Sequence, residues 1–392
     1  MPEAFIVAAT RTAGGRRGGR LSGWHPVDLA ALVLDELLDR SGADPDGVDD
    51  VILGCVGQAG EQSTNVARNA VLASRLPESV PGTSVDRQCG SSQQALHFAA
   101  QAVMSGTMDL VIAGGVESMS RVPMMMPSAL PAKNGFGDFM SSTLRSRYRT
   151  DMFSQFAGAE EIARKYGLQR EALDAFALLS QQRAAQAANT GKFKKEILPV
   201  EARLAGGAVP GDLHDTDEGI RFDATLQGIQ SVKLIAEGGR ISAASASQIC
   251  DGASGILLAN ERGLKKFGLQ PLARIHHMTV LGHDPVIMLE APLPATTLAL
   301  KRSGMSIGDI DLFEVNEAFA PIPLAWLKST GADPEHMNVN GGAIALGHPL
   351  GSSGTKLMTT LVHALHDRGK RFGLQTMCEG GGMANVTIVE RL

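Results

Sequence analysis

The amino-acid sequence predicts an α/β layer fold with a largely parallel sheet. Through the first 120 residues, short apolar runs of strand length alternate with alanine-rich helical patterns. The same rhythm returns after residue 271, and a stretch of different character separates the two. The chain has 392 residues, 44% of them hydrophobic, which is enough for two or three domains around ordinary cores.

Phe5–Ala9, Asp50–Val56 and Asp109–Ala113 read as buried strands, with helices at Pro26–Arg40 and Ser92–Ser105 between them. Arg121 to Phe153 is rich in Met, Pro, Ser, Gly and Arg and has no clear period. Such a segment inside a compact protein usually carries function or is disordered. One long helix is expected over Ala159–Asn189, then a loop at GDLHDTDEG. In the last third, Leu272–Val280 and Asp311–Val315 read as strands, and Ala295–Ser303 and Ala318–Ser329 as helices. Met337–Asn340 leads into a glycine-rich loop, a helix follows over Gly354–Arg368, and Phe372–Met377 with Ala384–Glu390 reads as a hairpin around a glycine turn. Two similar units suggest an internal duplication. The expected domains are 1–120 with 250–270, an inserted loop region over 121–249, and 271–392.

Asp and Glu number 41 against 36 Lys and Arg, a formal net charge of −5, which argues against a general binder of nucleic acid or anionic membranes. Aromatics at 4% leave few platforms for stacking bases. No apolar run reaches the roughly 18 residues of a membrane span, and MPEAFIVAATRT lacks the pattern of a secretory leader. A cytoplasmic protein without membrane insertion is expected. Cys55, Cys89, Cys250 and Cys378 form no CxxC and read as free thiols.

Four short stretches could carry chemistry. Cys89, in VDRQCGSS, stands between a strand-like run and an amphipathic helix. A helix N-terminus favours an anion there and would lower the thiol pKa, although a buried structural thiol fits as well. His348 lies in NGGAIALGHPLGSSG, whose five glycines suggest close access for a bulky group beside a titrating ring. A loop histidine bonded to the main chain is the plainer alternative. Cys378 ends a strand before three glycines, whose N–H groups could face a developing oxyanion or simply turn a hairpin. Asn316, in VNEAF, could cap a helix or hold a water, and Glu317 could be a base, a supporting group or a solvated first-turn carboxylate. Together these groups sit at strand ends on both units and describe one site. A metal site from Cys89, His348 and Cys378 is permitted by their spacing, but paired ligands at short spacing are missing, so no metal is expected.

VDRQCGSS, VNEAF, GGAIALGHPLGSSG and CEGGGMAN, in that order, resemble the signature blocks of the thiolases, the acetyl-CoA C-acyltransferase family. VAATRT, AGGVESMS and DEGIRFDATL extend the resemblance from end to end. It implies two related α/β domains of mixed sheets with an inserted loop domain. It implies that Cys89 is the nucleophile, that His348 activates it, and that Cys378 is the acid and base at the α-carbon. Asn316 would hold a water in one oxyanion hole, and the N–H groups of Cys89 and Gly380 would form a second. Ser247 would lie along the pantetheine arm and Arg221 near the adenosine phosphates. No cofactor would be bound permanently, since coenzyme A is a co-substrate, and the family suggests a homodimer or homotetramer. Position 86 is Asp where many relatives have Asn, and position 92 is Ser where most have Gly. The His-Met-Gly segment of short-chain members is absent; QFAGAEEIA stands there and, with EQSTN, resembles the branch acting on bulky acyl groups, including steroid side chains. The expected activity is thiolysis of a 3-ketoacyl-CoA with ping-pong kinetics, in fatty-acid or steroid side-chain β-oxidation. The alternatives are condensation to acetoacetyl-CoA and an inactive CoA- or lipid-binding protein.

Overall fold

The computed structural model describes residues 2–392. Nine strands make one continuous path: β1 Phe5–Thr12, β2 Asp50–Gly54, β3 Gly82–Val85, β4 Leu110–Ser118, β5 Cys250–Ala259, β6 Ala273–Gly282, β7 Leu312–Val315, β8 Phe372–Glu379 and β9 Met383–Arg391. Their spatial order is β7-β8-β9-β6-β1-β5-β4-β2-β3. The two central strands meet antiparallel through Phe5 with Arg274 and Ile6 with Ala273.

Read outward from that junction, the two halves are the same. The first runs β1-β5-β4-β2-β3, with two antiparallel pairings followed by two parallel ones. The second runs β6-β9-β8-β7 with the same pattern, and a parallel bridge from Phe313 to Met337 supplies its fifth position. This repeat accounts for the duplicated rhythm in the sequence. The sheet is mixed, as the resemblance implies, and this corrects the largely parallel sheet read from the alternation alone. In the first half the difference comes from β5, the strand not read from sequence: all ten of its positions are buried, so it lacks the alternation that marks a half-exposed strand.

Six helices matter for the site: α1 Pro26–Ser41, α2 Ser91–Ser105, α3 Gln155–Lys165, α4 Arg170–Asn189, α5 Pro321–Thr330 and α6 Ser353–Arg368. Helices α2 and α6 pack on each other and share a core with both halves. Ala95, Ala99 and Ala100 of α2 keep that contact close, and Met358, Leu361 and Leu365 of α6 fill it. The expected helix Ala159–Asn189 is two helices. Gly167 takes φ +65, and Leu168 N–H turns back to the Ala163 carbonyl, which closes α3 before α4 begins. GDLH, read as loop, forms the end of a strand Gly207–His214 that pairs with Val200–Leu204. Most positions of that strand are exposed, and Gly207, Pro210 and Gly211 break its pattern, which hides the strand from a hydrophobicity reading.

Candidate active site

Cys89 follows Gln88, which holds φ +50, and precedes Gly90, the N-cap of α2. The Arg87 carbonyl accepts the Gly90 N–H and the Gln88 carbonyl accepts the Ser91 N–H, so the tight turn fixes the thiol at the helix start. The backbone N–H groups of Cys89 and Gly380 point at the sulfur. Cys378 lies close enough for its thiol and that of Cys89 to oppose each other's ionisation. Cys89, Cys378 and Gly380 are thus brought together. The expected lowering of the Cys89 pKa is overturned. Burial first, and Glu379 second, push it up to about 12, so the resting group is a thiol and needs a base.

His348 is buried and sits on a loop that Gln248 holds, its N–H donating to the Gln248 carbonyl at 3.1 Å. Ser353 Oγ donates to the Pro349 carbonyl at 2.9 Å and lies 2.5 Å from His348 Nδ1. With the hydroxyl proton engaged, the network assigns the ring proton to Nδ1. Nε2 then carries the lone pair, 3.4 Å from Asn316 Nδ2. Burial first, and Lys356 second, lower the His348 pKa to about 3. The ring is neutral, with its free nitrogen toward Asn316.

Asn316 is not a helix cap. Helix α5 starts at Pro321 with Ala320 as its N-cap. The Asn316 N–H instead continues the sheet to the Thr376 carbonyl, which sends the side chain to the imidazole. Its Oδ1 is buried without a protein partner. Beside it is a cavity of ≈ 20 Å³ lined by Glu314, Gly347, Ser353, Lys356 and Thr360 among others, room for about one water. Glu317 is neither solvated nor free. It accepts from Ser180 Oγ at 2.7 Å, Asn338 Nδ2 at 2.9 Å and the Ile344 N–H at 3.1 Å, tying α4 to the glycine-rich loop.

The glycines of that loop pack against protein, which corrects the access reading. A Cβ on Gly354 would stand 2.1 Å from the Gln93 nitrogen. That close approach lets the first turn of α6 sit on the first turn of α2, so the His348 loop lies over the helix that carries Cys89.

Of the two candidate CoA contacts, Arg221 is exposed and its N–H donates to Gln181 Oε1 at 2.7 Å. Ser247 is half-buried with its N–H on the Ala318 carbonyl. Gln248 connects them, bonding the Gly219 carbonyl two residues before Arg221 and lying beside Ser247. Among the basic residues of the inserted region, Arg145 is engaged by Asp138 and the Met140 carbonyl. Among the described residues, no group of three or more His, Cys, Asp or Glu has a metal-binding arrangement.

Sequence reasoning missed three supporting residues. Ser353 lies five residues beyond His348, at the first position of α6, where a hydroxyl beside the glycines could have flagged it. Glu117 accepts from the N–H groups of Val56, Gly57 and Gly351 and from Gln62 Nε2, joining loops of both halves. Glu379 is a carboxylate closing an otherwise uncharged strand, FGLQTMCE.

A thiol facing two backbone donors, with a second thiol beside it and a tautomer-fixed imidazole on the neighbouring loop, is equipment for acyl transfer through a thioester. Comparison with known proteins agrees. The model for the thiolase N-terminal domain matches residues 4–262, and that for the thiolase C-terminal domain matches residues 269–391. The chain belongs to the thiolase family and is an acyltransferase. It is 52% identical to the steroid 3-ketoacyl-CoA thiolase FadA6 of Mycobacterium tuberculosis, over 100% of this chain and 95% of that protein. It is 44% identical to a beta-ketoadipyl-CoA thiolase of Escherichia coli, over the full length of both. The crystal structure of the Bacillus anthracis acetyl-CoA acetyltransferase superposes with a TM-score of 0.91 at 35% identity, covering 100% of this chain and 99% of that one.

Proposed function

We propose that this thiolase cleaves a 3-ketoacyl-CoA with coenzyme A, releasing acetyl-CoA or propionyl-CoA and a shortened acyl-CoA, through an acyl-enzyme on Cys89. The observation that carries it is the convergence of the Cys89 and Gly380 N–H groups on the Cys89 sulfur, with Cys378 alongside. His348 Nε2 takes the Cys89 proton as sulfur attacks the keto carbon. The C2–C3 electron pair leaves with the released CoA thioester as an enolate, and the Cys378 S–H supplies its proton. Coenzyme A then gives its thiol proton to the Cys378 thiolate and attacks the acyl group. Cys89 departs and recovers its proton from His348. The two half-reactions share one site, so the kinetics are ping-pong.

The enolate and the tetrahedral oxyanion need preorganised donors more than they need binding energy. The N–H groups of Cys89 and Gly380 serve one oxygen. A water on Asn316, with the His348 ring, serves the other, in keeping with the unpartnered Oδ1 and its cavity. Ser247 and Arg221 contact the pantetheine and phosphate ends of CoA, which is a co-substrate and not a bound cofactor.

The substrate is a medium, long or bulky acyl chain, steroid side chains included, in a cytoplasmic β-oxidation sequence. The relative at 52% identity, which is named for steroid 3-ketoacyl-CoA, supports that choice over acetoacetyl-CoA synthesis. The working unit is a homodimer or homotetramer. The repeated strand order supports domains at 1–120 with 250–270, 121–249 and 271–392. Intact mass after mixing with acetyl-, octanoyl- and polycyclic acyl-CoA tests the reading. An adduct on the native chain and none on Cys89→Ser is expected, heaviest with the bulky acyl group. An adduct that survives the substitution would remove Cys89 from its role.

A further inference from the structure

Glu379 is a buried acid that the acyl-transfer scheme leaves idle. It follows Cys378 on β8 and precedes the Gly380 N–H that faces the nucleophile. The side chain is fully buried, and neither carboxylate oxygen has a hydrogen-bond partner in the protein. Its location is defined by the loop it touches. A Cβ built on Gly90 would stand 2.0 Å from Glu379 Oε1, so the carboxyl lies against the residue directly after Cys89.

The groups around it come from four directions. Arg87 and Cys89 face it from the loop ahead of α2, and Cys378 from its own strand. The Asn385 N–H approaches from β9, and His283 with Asp284 packs on the turn that follows. Arg87 is the cation of the set, and it makes no hydrogen bond to either oxygen. A carboxylate ionised there would be desolvated without a bonded counter-charge, so the protonated acid is the favoured form. Burial pushes its pKa up to about 8, against the pull of Arg87 and the Asn385 N–H. In its ionised form it raises the pKa of both Cys89 and Cys378.

We propose that Glu379 is a positioning residue acting through Cys89. As a neutral acid it leaves the nucleophile free to ionise during attack. As a carboxylate it suppresses the Cys89 thiolate, and its proton thereby sets the upper pH limit of acylation. The inference deepens the thiolase reading and rests on it for the word acylation, while the electrostatic coupling to the thiol stands apart from any substrate. A reaction whose released CoA thioester must leave as an enolate gains from such a neighbour. The acid adds no negative charge to the oxyanion sites while protonated.

The test is iodoacetamide alkylation of the full-length chain, read on the Cys89 peptide by mass spectrometry from about pH 6.5 to 10. An isolated thiol gains about tenfold per pH unit below its pKa. The native chain should follow that rise and then break toward a shallower slope near pH 8, where Glu379 ionises. Glu379→Gln should rise without the break. It should exceed the native rate by about tenfold at pH 9.5, one pKa unit of relief, and match it within about twofold at pH 6.5. Parallel profiles for the two proteins would overturn the proposal. Should the variant fail to fold, the native profile decides: an unbroken rise from pH 7 to 10 overturns it. Turnover of a 3-ketoacyl-CoA is measured alongside. A break without turnover removes the thiolase reading and keeps the coupling; turnover without a break does the reverse.

Discussion

Gly347, the residue before His348, should not tolerate even a methyl group. Its backbone stands at φ +80 and ψ 162, a region occupied almost only by glycine. Holding alanine there costs about 1–3 kcal/mol. A Cβ at this position would also lie 2.5 Å from Cys250 Sγ and 2.8 Å from Cys250 Cβ. Overpacking of that kind costs about 1–3 kcal/mol more. Gly347→Ala should therefore lose about 2–6 kcal/mol in urea unfolding, at unchanged m-value. The partition can be measured. Cys250→Ala removes the nearer atom but leaves the backbone strain and the contact with Cβ, so a double-mutant cycle should return a favourable coupling of about 1 kcal/mol, part of the overpacking cost. Because His348 follows directly, acyl-enzyme formation should fall in the single variant more than its folded fraction explains. A Gly347→Ala protein within about 0.5 kcal/mol of the native chain, or strict additivity with Cys250→Ala, would refute the reasoning.

Ser353→Ala frees the His348 ring to adopt the other tautomer, and the Cys89 acylation rate at saturating acyl-CoA should drop roughly 10–100-fold, a part of what a general base supplies; an unchanged rate would show that Ser353 does not hold the ring. Arg11 is fully buried with Glu196 at 2.7 Å and Asp217 at 2.9 Å. Arg11→Leu strands both carboxylates and should cost about 3–5 kcal/mol, seen as a lower urea midpoint; a loss under about 1 kcal/mol would mean that Lys356 already compensates them. Burial holds His97 and His348 down at about 3, against 6.5 for the free side chain. The unfolded chain binds their protons first, so the stability they confer is complete above pH 6.5 and is lost as pH falls toward 3. His97→Gln should therefore lose stability with acid less steeply than the native chain, by about 1.4 kcal/mol per unit below pH 6; equal slopes would refute this.

Much of the fold was legible because burial and period coincide in it. Helices α1 and α2 carry apolar faces at helical spacing, and the hairpin β8–β9 is marked by its glycine turn. What escaped did so for identifiable reasons. Strand β5 is buried on both faces and built from Gly, Ala, Ser and Asp as much as from Ile and Leu, so neither alternation nor a long apolar run announces it. The break between α3 and α4 depends on the sign of one φ at Gly167. In the site, Cys89, His348 and Cys378 could be picked out by their residue types beside glycines. Asn316 fits a cap as readily as a water site in the sequence, because VNEAF ends a strand before a helix, and only the sheet register shows where its amide goes. Glu379 was invisible for a different reason. A carboxylate next to glycines reads as a solvated turn until its burial is known.

The mirrored strand order also says how a single chain came to hold unlike groups in like places. Counted along the chain, Cys89 lies on the connection that follows the third strand of the first half, and His348 on the connection that follows the third of the second, the segment bridged at Met337. Asn316 follows the second position of its half, as Cys55 does in the other. Glu117 comes near the end of the fourth position, as Cys378 does across from it. Two identical subunits around an axis must present the same side chain twice. Joined in one polypeptide, the two copies are released from that symmetry, and each can specialise in one part of a proton and acyl exchange that neither could perform alone.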